Sequence, residues 1–421
     1  MLIKRKIFQD IVLHLSAKEL TVITGARQVG KTTLMKEVQY MLDKKNERTV
    51  YLNLDFESDF SYFNSQERLL QKIELEFGKK KGYVFIDEIQ RKENAGLFLK
   101  GIFDNDLPYK FIVSGSGSME LKAKIHESLS GRKRVFELFP VAFDEFINYK
   151  TGYKYEENLV PFFNIEGEKV DIYLNEYLFY GGYPRIVTEP QKQEKHLLIN
   201  EIFNSYIRKD ISYLLNINRP DAFIKFIELL AAQTGSIINL SKLSNDTGIS
   251  VPTLKKYLWY AENTFIIKTL SPFFGNKRKE ITKSPTIYFN DLGFRNFAIN
   301  QFGNFNKNNN GFLFQNFIFN ILQSFIYEDF INIHFWRTTD QAEVDFIIKR
   351  GNEIIPIEVK FSNLKSTTVT RSLRNFINKY KPEKALVINL SYSKTIKIYN
   401  TNVGFIPFYK LSTVLNKICK M

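Results

Sequence analysis

The run GARQVGKTT, Gly25 to Thr33, constrains this 421-residue chain more than any other stretch. It fits G-x-x-x-x-G-K-[ST], follows the apolar run LTVITG (Leu20–Gly25) and precedes TTLMKEVQYML, whose apolar residues recur on a helical period. A strand that turns through a glycine-rich loop into a helix is a phosphate-binding device. The glycines let the loop close on a polyphosphate, and backbone N–H groups at the helix start supply positive potential. Gly25, Ala26, Arg27, Gln28, Val29, Gly30, Lys31, Thr32 and Thr33 are therefore the expected nucleotide contacts. Lys31 suits the β- and γ-phosphates of ATP, and the Thr32 hydroxyl suits Mg2+.

Four further apolar runs follow: TVYLNLD (Thr49–Asp55), YVFIDE (Tyr83–Glu88), KFIVSG (Lys110–Gly115) and RVFELF (Arg134–Phe139). Between them lie QERLLQKIELEF, AGLFLKGIFD and MELKAKIHESL, each with helix-like spacing. Continuous apolar strands separated by helices predict an α/β fold with a parallel sheet covered on both faces. YVFIDE delivers two adjacent carboxylates at its end: Asp87 to hold the Mg2+ shell, and Glu88 to orient and deprotonate the attacking water. The next strand ends in SGSGS, so Ser114 or Ser116 is a candidate hydroxyl beside the γ-phosphate; the alternative is a plain Ser/Gly turn. Arg132, in SLSGRKRV, is the first candidate to stabilise the transferring phosphoryl group, in cis or from a neighbouring subunit, ahead of Arg27 and Arg208.

After Pro140 the pattern turns helical, with VAFDEFINY, DIYLNEYLFY and HLLINEIFNSYIRKDISYLL, and the loop GGYPR (Gly181–Arg185) between two of them. The segment Ile238–Ile267 reads as a helix-turn-helix, with a helix start at Ser241, a turn at Thr247–Gly248 and a second helix from Val251. Thr253, Lys255 and Lys256 are side chains suited to phosphates or base edges, and ENTFIIKTLSPFFGNKRKEI resembles a wing tipped by Lys277, Arg278 and Lys279. Such modules also bind proteins or act as lids. NFNKNNNG (Asn304–Gly311) is the expected linker or exposed loop.

Beyond it, Asp345 is followed after twelve residues by Glu358-Val359-Lys360, so the three polar side chains converge at one edge of an expected hairpin. Two carboxylates for Mg2+ and a lysine for the hydrolytic water form the logic of a metal-dependent phosphodiesterase. The alternative is an ordinary charged pair on a solvent face. Charge sharpens the point: of the net +14, +11 lies from Asn276 onward, where 15 Lys and 6 Arg face 10 acids. A basic face there suits DNA or RNA, unless the bias is merely compositional. One cysteine, Cys419, excludes a disulfide framework and suits a cytoplasmic setting, and no stretch reads as a signal peptide or membrane span.

In order along the chain, TVITGARQVGKTTL, YVFIDEIQ, SGSGS, SLSGRKRVFELFPVAFDEF, EYLFYGGYP, IRKDI, the helix-turn-helix, GFLFQNFIFN and RTTDQAEVDFII with IPIEVK resemble prokaryotic ATP-binding proteins of the AAA-type P-loop superfamily. The resemblance implies an ATPase using ATP and Mg2+, a winged helix, and a C-terminal domain of unknown function related to restriction endonucleases, with Asp345, Glu358 and Lys360 at its site. Where that family usually has a glutamate on the helix after the linker, this chain has Gln315. The segments expected are a P-loop ATPase domain over 1–140, a helical lid or connector over 141–220, a winged helix-turn-helix over 221–285 and a restriction-endonuclease-like αβ domain over 286–421. The chain is also a candidate homo-oligomer.

Overall fold

The apolar runs become strands where they are long enough to be buried on both faces. The computed structural model describes residues 1–116, 129–207, 220–274, 283–304, 310–325 and 331–419. Strands β1 (Leu20–Gly25), β2 (Thr49–Asn53), β3 (Gly82–Asp87), β4 (Tyr109–Ser116) and β5 (Lys133–Leu138) form one all-parallel sheet in the order β2-β3-β4-β1-β5. β1 and β3 are buried at every residue, as strands sandwiched between helices must be. On one face Leu20, Val22, Leu52, Val84, Ile86 and Val113 pack with Leu69 and Ile73 of the helix Gln66–Phe77 and with Leu99 and Ile102 of the helix Ala95–Phe103. The helix Lys31–Lys44 buries Leu34, Met35, Val38 and Leu42. Because the five strands run the same way, the C-terminal ends of β1, β3 and β4 lie at one edge of the sheet.

The C-terminal part contains a short antiparallel pair, β6 (Ile267–Leu270) and β7 (Thr286–Phe289), and a mixed sheet. The latter comprises β8 (Ile331–Arg337), β9 (Glu343–Arg350), β10 (Glu353–Val359), β11 (Lys384–Asn389), β12 (Lys394–Ile398) and β13 (Thr401–Pro407), ordered β12-β13-β11-β10-β9-β8. β10 pairs with β11, and β11 with β13, in parallel; the remaining pairs are antiparallel, including the expected β9–β10 hairpin. Trp336, Val344 and Ile347 pack with Leu373, Phe376 and Ile377 of the helix Arg371–Tyr380. The helix Asn310–Gln323 buries Phe314, Phe317 and Phe319, and the Phe319 ring stacks on Tyr288 at 4.5 Å.

The helix Leu240–Thr247 is started by the Asn239 side chain, which accepts from the Lys242 N–H at 2.9 Å, and is stopped by Gly248 in the left-handed conformation (φ 69°). The helix Val251–Asn263 follows, with Leu254, Tyr257, Tyr260 and Ala261 buried and Lys255 and Lys256 exposed. Thr253 is half-buried, and its N–H and hydroxyl both meet the Ser250 Oγ. Among the described residues no helix is long and apolar enough to cross a membrane. Arg208, the wing tip Lys277–Lys279 and most of MELKAKIHESL lie outside the described residues.

Where the sequence suggests consecutive segments, the chain divides into two interleaved units: Met1–Gly152 with Gly182–Pro220 and Leu258–Ile266, and Tyr153–Gly181 with Asp221–Tyr257 and Ile267–Met421. The expected lid over 141–220 is thus shared between them. The cause is tertiary. Asn296 Nδ2 donates to the carbonyls of Leu178 (2.9 Å) and Phe179 (3.2 Å), fastening the end of the helix Gly167–Tyr180 to the helix Leu292–Ala298. The two backbones approach so closely that a Cβ on Gly293 would lie 2.1 Å from the Tyr180 carbonyl oxygen.

Candidate functional site

The loop after β1 turns on its glycines. Gly30, with φ 99°, sits immediately before the helix Lys31–Lys44, and a Cβ on Gly25 would lie 2.2 Å from the Leu138 carbonyl oxygen of neighbouring β5. Lys31 folds back over the loop, its Nζ donating to the carbonyls of Gly25 (3.1 Å) and Ala26 (2.8 Å). The ammonium is thereby held against the backbone of the loop.

Asp87, fully buried at the end of β3, is the hub of the site. Its Oδ2 accepts from the Thr32 hydroxyl at 2.7 Å and from the Tyr51 phenol at 2.7 Å. Its Oδ1 accepts from Ser114 Oγ and from the Glu88 N–H at 3.1 Å. Three strands and the loop helix thus converge on one carboxylate. Burial, and next the Asp87 charge, push the Tyr51 phenol well above its ordinary pKa, so it stays a donor. Tyr51 is a partner of Asp87 that sequence reasoning misses, because on its strand it reads as one more β-prone aromatic; its ring also stacks on Phe85 at 6.0 Å. Glu88 adopts the left-handed conformation (φ 57°) and accepts from Gln90 Nε2. The Thr32 hydroxyl and the Asp87 carboxylate are hard oxygen donors of the kind that would suit Mg2+.

The structure does not bring Arg132 to this edge. Its carbonyl accepts from the Leu20 N–H at 2.9 Å, so it lies at the start of β1, and its guanidinium pairs with Asp104 at 2.8 Å. The strand from Leu20 to Gly25 separates it from the loop by roughly 16 Å at the usual strand rise. That corrects the in cis reading of Arg132. Arg185 lies beside the loop instead: Nη1 donates to Gln28 Oε1 at 3.3 Å and to Glu201 Oε1 at 2.9 Å, and Pro184 lies 3.8 Å from where a Cβ on Gly30 would be. The sequence offers GGYPR only as a loop between helices, with no signal that it returns to the phosphate loop. Arg27 is half-buried within the loop itself.

The second constellation does converge. Asp345 Oδ1 accepts from Gln315 Nε2 at 2.8 Å, and its Oδ2 from the Val359 N–H at 2.7 Å. Glu358 Oε1 pairs with Lys360 Nζ at 2.7 Å, and its Oε2 accepts from the Thr370 hydroxyl at 2.7 Å. Every carboxylate oxygen here has a protein donor, and Lys360 neutralises Glu358 rather than standing apart to activate water. Burial holds the Asp345 carboxyl up at about 7, which favours its neutral form. Among the described residues no three His, Cys, Asp or Glu side chains gather as a metal-binding group. In this structure protein donors hold both carboxylates that the spacing of Asp345 and Glu358 brings together.

Residues 17–147 match a family model described as AAA domain, residues 172–304 one described as Domain of unknown function (DUF8612), and residues 310–411 one described as Domain of unknown function (DUF4143). An uncharacterized protein of Haemophilus influenzae is 26% identical over 413 residues, 94% of this chain and 95% of that protein. One of Methanocaldococcus jannaschii is 27% identical over 423 residues, 95% and 84% of the two chains. Among solved structures, the Aeropyrum pernix ORC1 protein in complex with DNA is 10% identical with a TM-score of 0.30, over 71% of this chain and 92% of that one. The replication initiator DnaA bound to AMPPCP and single-stranded DNA is 18% identical with a TM-score of 0.31, over 62% and 90%. The chain therefore carries an AAA domain over residues 17–147 and the domain of unknown function DUF4143 over residues 310–411.

Proposed function

We propose that the protein hydrolyses ATP with Mg2+ and couples its nucleotide state to nucleic-acid binding by the basic C-terminal region. The observation that carries the enzymatic half is the Thr32–Asp87 hydrogen bond, which joins the phosphate loop to the β3 carboxylate inside a strand-loop-helix frame. In this reading the loop N–H groups and Lys31 hold the β- and γ-phosphates, and Thr32 and Asp87 fix the cation's shell. When bound, Mg2+ supplies charge neutralisation at the phosphates. Glu88, once it leaves Gln90, accepts the proton of the attacking water, and Ser114 keeps Asp87 in place from the neighbouring strand. Arg185 is the cation proposed to reach the phosphates in cis, which leaves Arg132 only a role across a subunit boundary. Purified protein should release phosphate from ATP in a Mg2+-dependent manner, with the rate abolished in Lys31→Ala and Glu88→Gln. Hydrolysis that survives both substitutions sinks the assignment.

For the C-terminal half, the helix-turn-helix, the β6–β7 pair as a wing, and the helix-strand order around β8–β11 support the winged-helix and restriction-endonuclease-like readings. The net +11 beyond Asn276 supports a polyanionic ligand. Binding to DNA or RNA should weaken steeply with salt, and a flat salt dependence favours the second reading, a nucleotide-gated protein-interaction module. The saturated carboxylates of Asp345 and Glu358 favour a domain that binds without cutting. Mg2+- or Mn2+-dependent nicking that disappears in Glu358→Ala would restore the third, nuclease reading.

A further inference from the structure

We propose that Arg5 is a positioning residue for the phosphate loop, acting from outside the 17–147 segment that matches the AAA domain model. Its guanidinium gathers four acceptors from three stretches of chain. Nε donates to Glu145 Oε2 at 3.0 Å, Nη1 to the Val29 carbonyl at 3.0 Å, and Nη2 to the carbonyls of Phe139 (2.6 Å) and Pro140 (3.2 Å). Both members of the ion pair are nearly inaccessible, with side chains 9% and 6% exposed. Glu145 is itself fixed, its Oε1 accepting from the Lys6 N–H at 2.7 Å and its Oε2 from the Ala142 N–H at 2.9 Å. Guanidinium is a planar fork of five donors, and this position uses the fork's geometry rather than its charge alone.

The contact that matters for chemistry is the one to Val29. A trans peptide is planar, so its C=O and N–H point in opposite directions. Drawing the Val29 carbonyl back onto Arg5 turns the N–H of Gly30 the other way, away from Arg5, and on the phosphate-binding reading leaves it free to donate to ligand. The flanking residues make the choice of orientation a real one. Gln28 (φ 59°) and Gly30 (φ 99°) both adopt left-handed conformations, and this peptide lies between β1 and the helix Lys31–Lys44, outside the regular hydrogen bonding of either. The Phe139 and Pro140 contacts extend the clamp to the end of β5, whose Leu138 pairs with Gly25 at the other end of the loop. Arg5 thereby spans both ends of the loop and fixes its donors before ligand arrives. Such pre-organisation lowers the ordering cost of binding.

The proposal rests on the phosphate-binding reading of the loop, and its test separates the two. Binding of Mg2+–AMPPNP and of pyrophosphate is measured calorimetrically for the full-length wild type, Arg5→Gln, Arg5→Lys and Glu145→Gln, alongside thermal unfolding without ligand and amide hydrogen exchange at Gly30. Arg5→Gln should weaken both ligands about tenfold, which is ~1.4 kcal/mol. Arg5→Lys, with one point donor instead of a fork, should fall between it and the wild type, and Gly30 exchange should quicken in both. A general loss of stability would lower the melting temperature without singling out that amide. If Arg5→Gln does not fold, Arg5→Lys carries the test, because it keeps the charge and most of the packing. A folded variant that binds both ligands as tightly as the wild type, with unchanged Gly30 exchange, overturns the proposal alone. A wild type that binds neither ligand overturns the reading of the loop and this proposal with it.

Discussion

Replacing Gln315 by glutamate should convert a closed hydrogen-bonded cluster into a pair of competing carboxylates. Gln315 Nε2 donates to Asp345 Oδ1 at 2.8 Å, so the new carboxylate would stand about 4 Å from the old one, where two full charges repel by ~4 kcal/mol at an effective dielectric near 20. The pair avoids this by keeping one proton, and burial already holds Asp345 at about 7. The native state of the wild type binds that proton more tightly than the unfolded chain does. The contribution of Asp345 is therefore largest below the ordinary carboxylate range and is lost as pH rises through about 7. In Gln315→Glu the folded pKa moves higher still, so the loss continues past pH 8. At ~1.4 kcal/mol per pH unit, the variant should be within about 1 kcal/mol of the wild type at pH 6 and roughly 2 kcal/mol less stable at pH 8.5. Thermal unfolding at the two pH values reads this as a deficit of about 4–8 °C that appears only at pH 8.5. Mn2+ should reduce that deficit, because the introduced carboxylate, together with those of Asp345 and Glu358, can share a divalent ion. A deficit of equal size at both pH values would refute the proton-sharing argument, and an absent Mn2+ response would refute the metal part.

Tyr51→Phe keeps the stacking on Phe85 and removes only the phenol on Asp87, so the Mn2+ affinity of the nucleotide-bound protein should drop by about threefold to tenfold, read by titration. Gly25→Ala forces a Cβ against the Leu138 carbonyl, at 2.2 Å, and should cost ~1–3 kcal/mol in denaturant unfolding and abolish nucleotide binding. Arg132→Ala should leave ATP hydrolysis at low protein concentration within about twofold of the wild type, because the side chain lies a strand's length from the loop. Arg185→Ala should lower kcat by about tenfold to a hundredfold with a smaller change in KM, and an unchanged kcat would remove Arg185 from the phosphate site.

What is legible in the sequence is whatever depends on neighbours along the chain. The strand before Gly25, the helix from Lys31 and the adjacent pair Asp87-Glu88 are local patterns, and the geometry places Lys31, Thr32, Asp87 and Ser114 together. The hairpin that brings Asp345 to Val359 is also local. Three features are not legible, because each depends on residues far apart. Tyr51 reaches Asp87 only because β2 lies beside β3, and Arg185 reaches Gln28 across 157 positions of sequence. Arg132 precedes an apolar strand, and in a parallel sheet the residue before a strand lies at the edge opposite the phosphate loop. Nor does spacing reveal saturation: Thr370 and Val359 complete the shells of Glu358 and Asp345 without any motif announcing them.

The interleaving of the two units bears on how the chain is made. It crosses between them after residues 152, 181, 220, 257 and 266, so the unit holding the phosphate loop includes Leu258–Ile266, more than a hundred residues beyond β5. During synthesis the sheet can assemble early, but its unit is complete only after the helix-turn-helix has left the ribosome. Closing such long loops slows folding more than it weakens the product. A nascent sheet waiting for its last segment exposes apolar surface, which is the condition chaperones recognise. A fragment ending at residue 152 or 220 would therefore be a stalled intermediate rather than a free-standing domain.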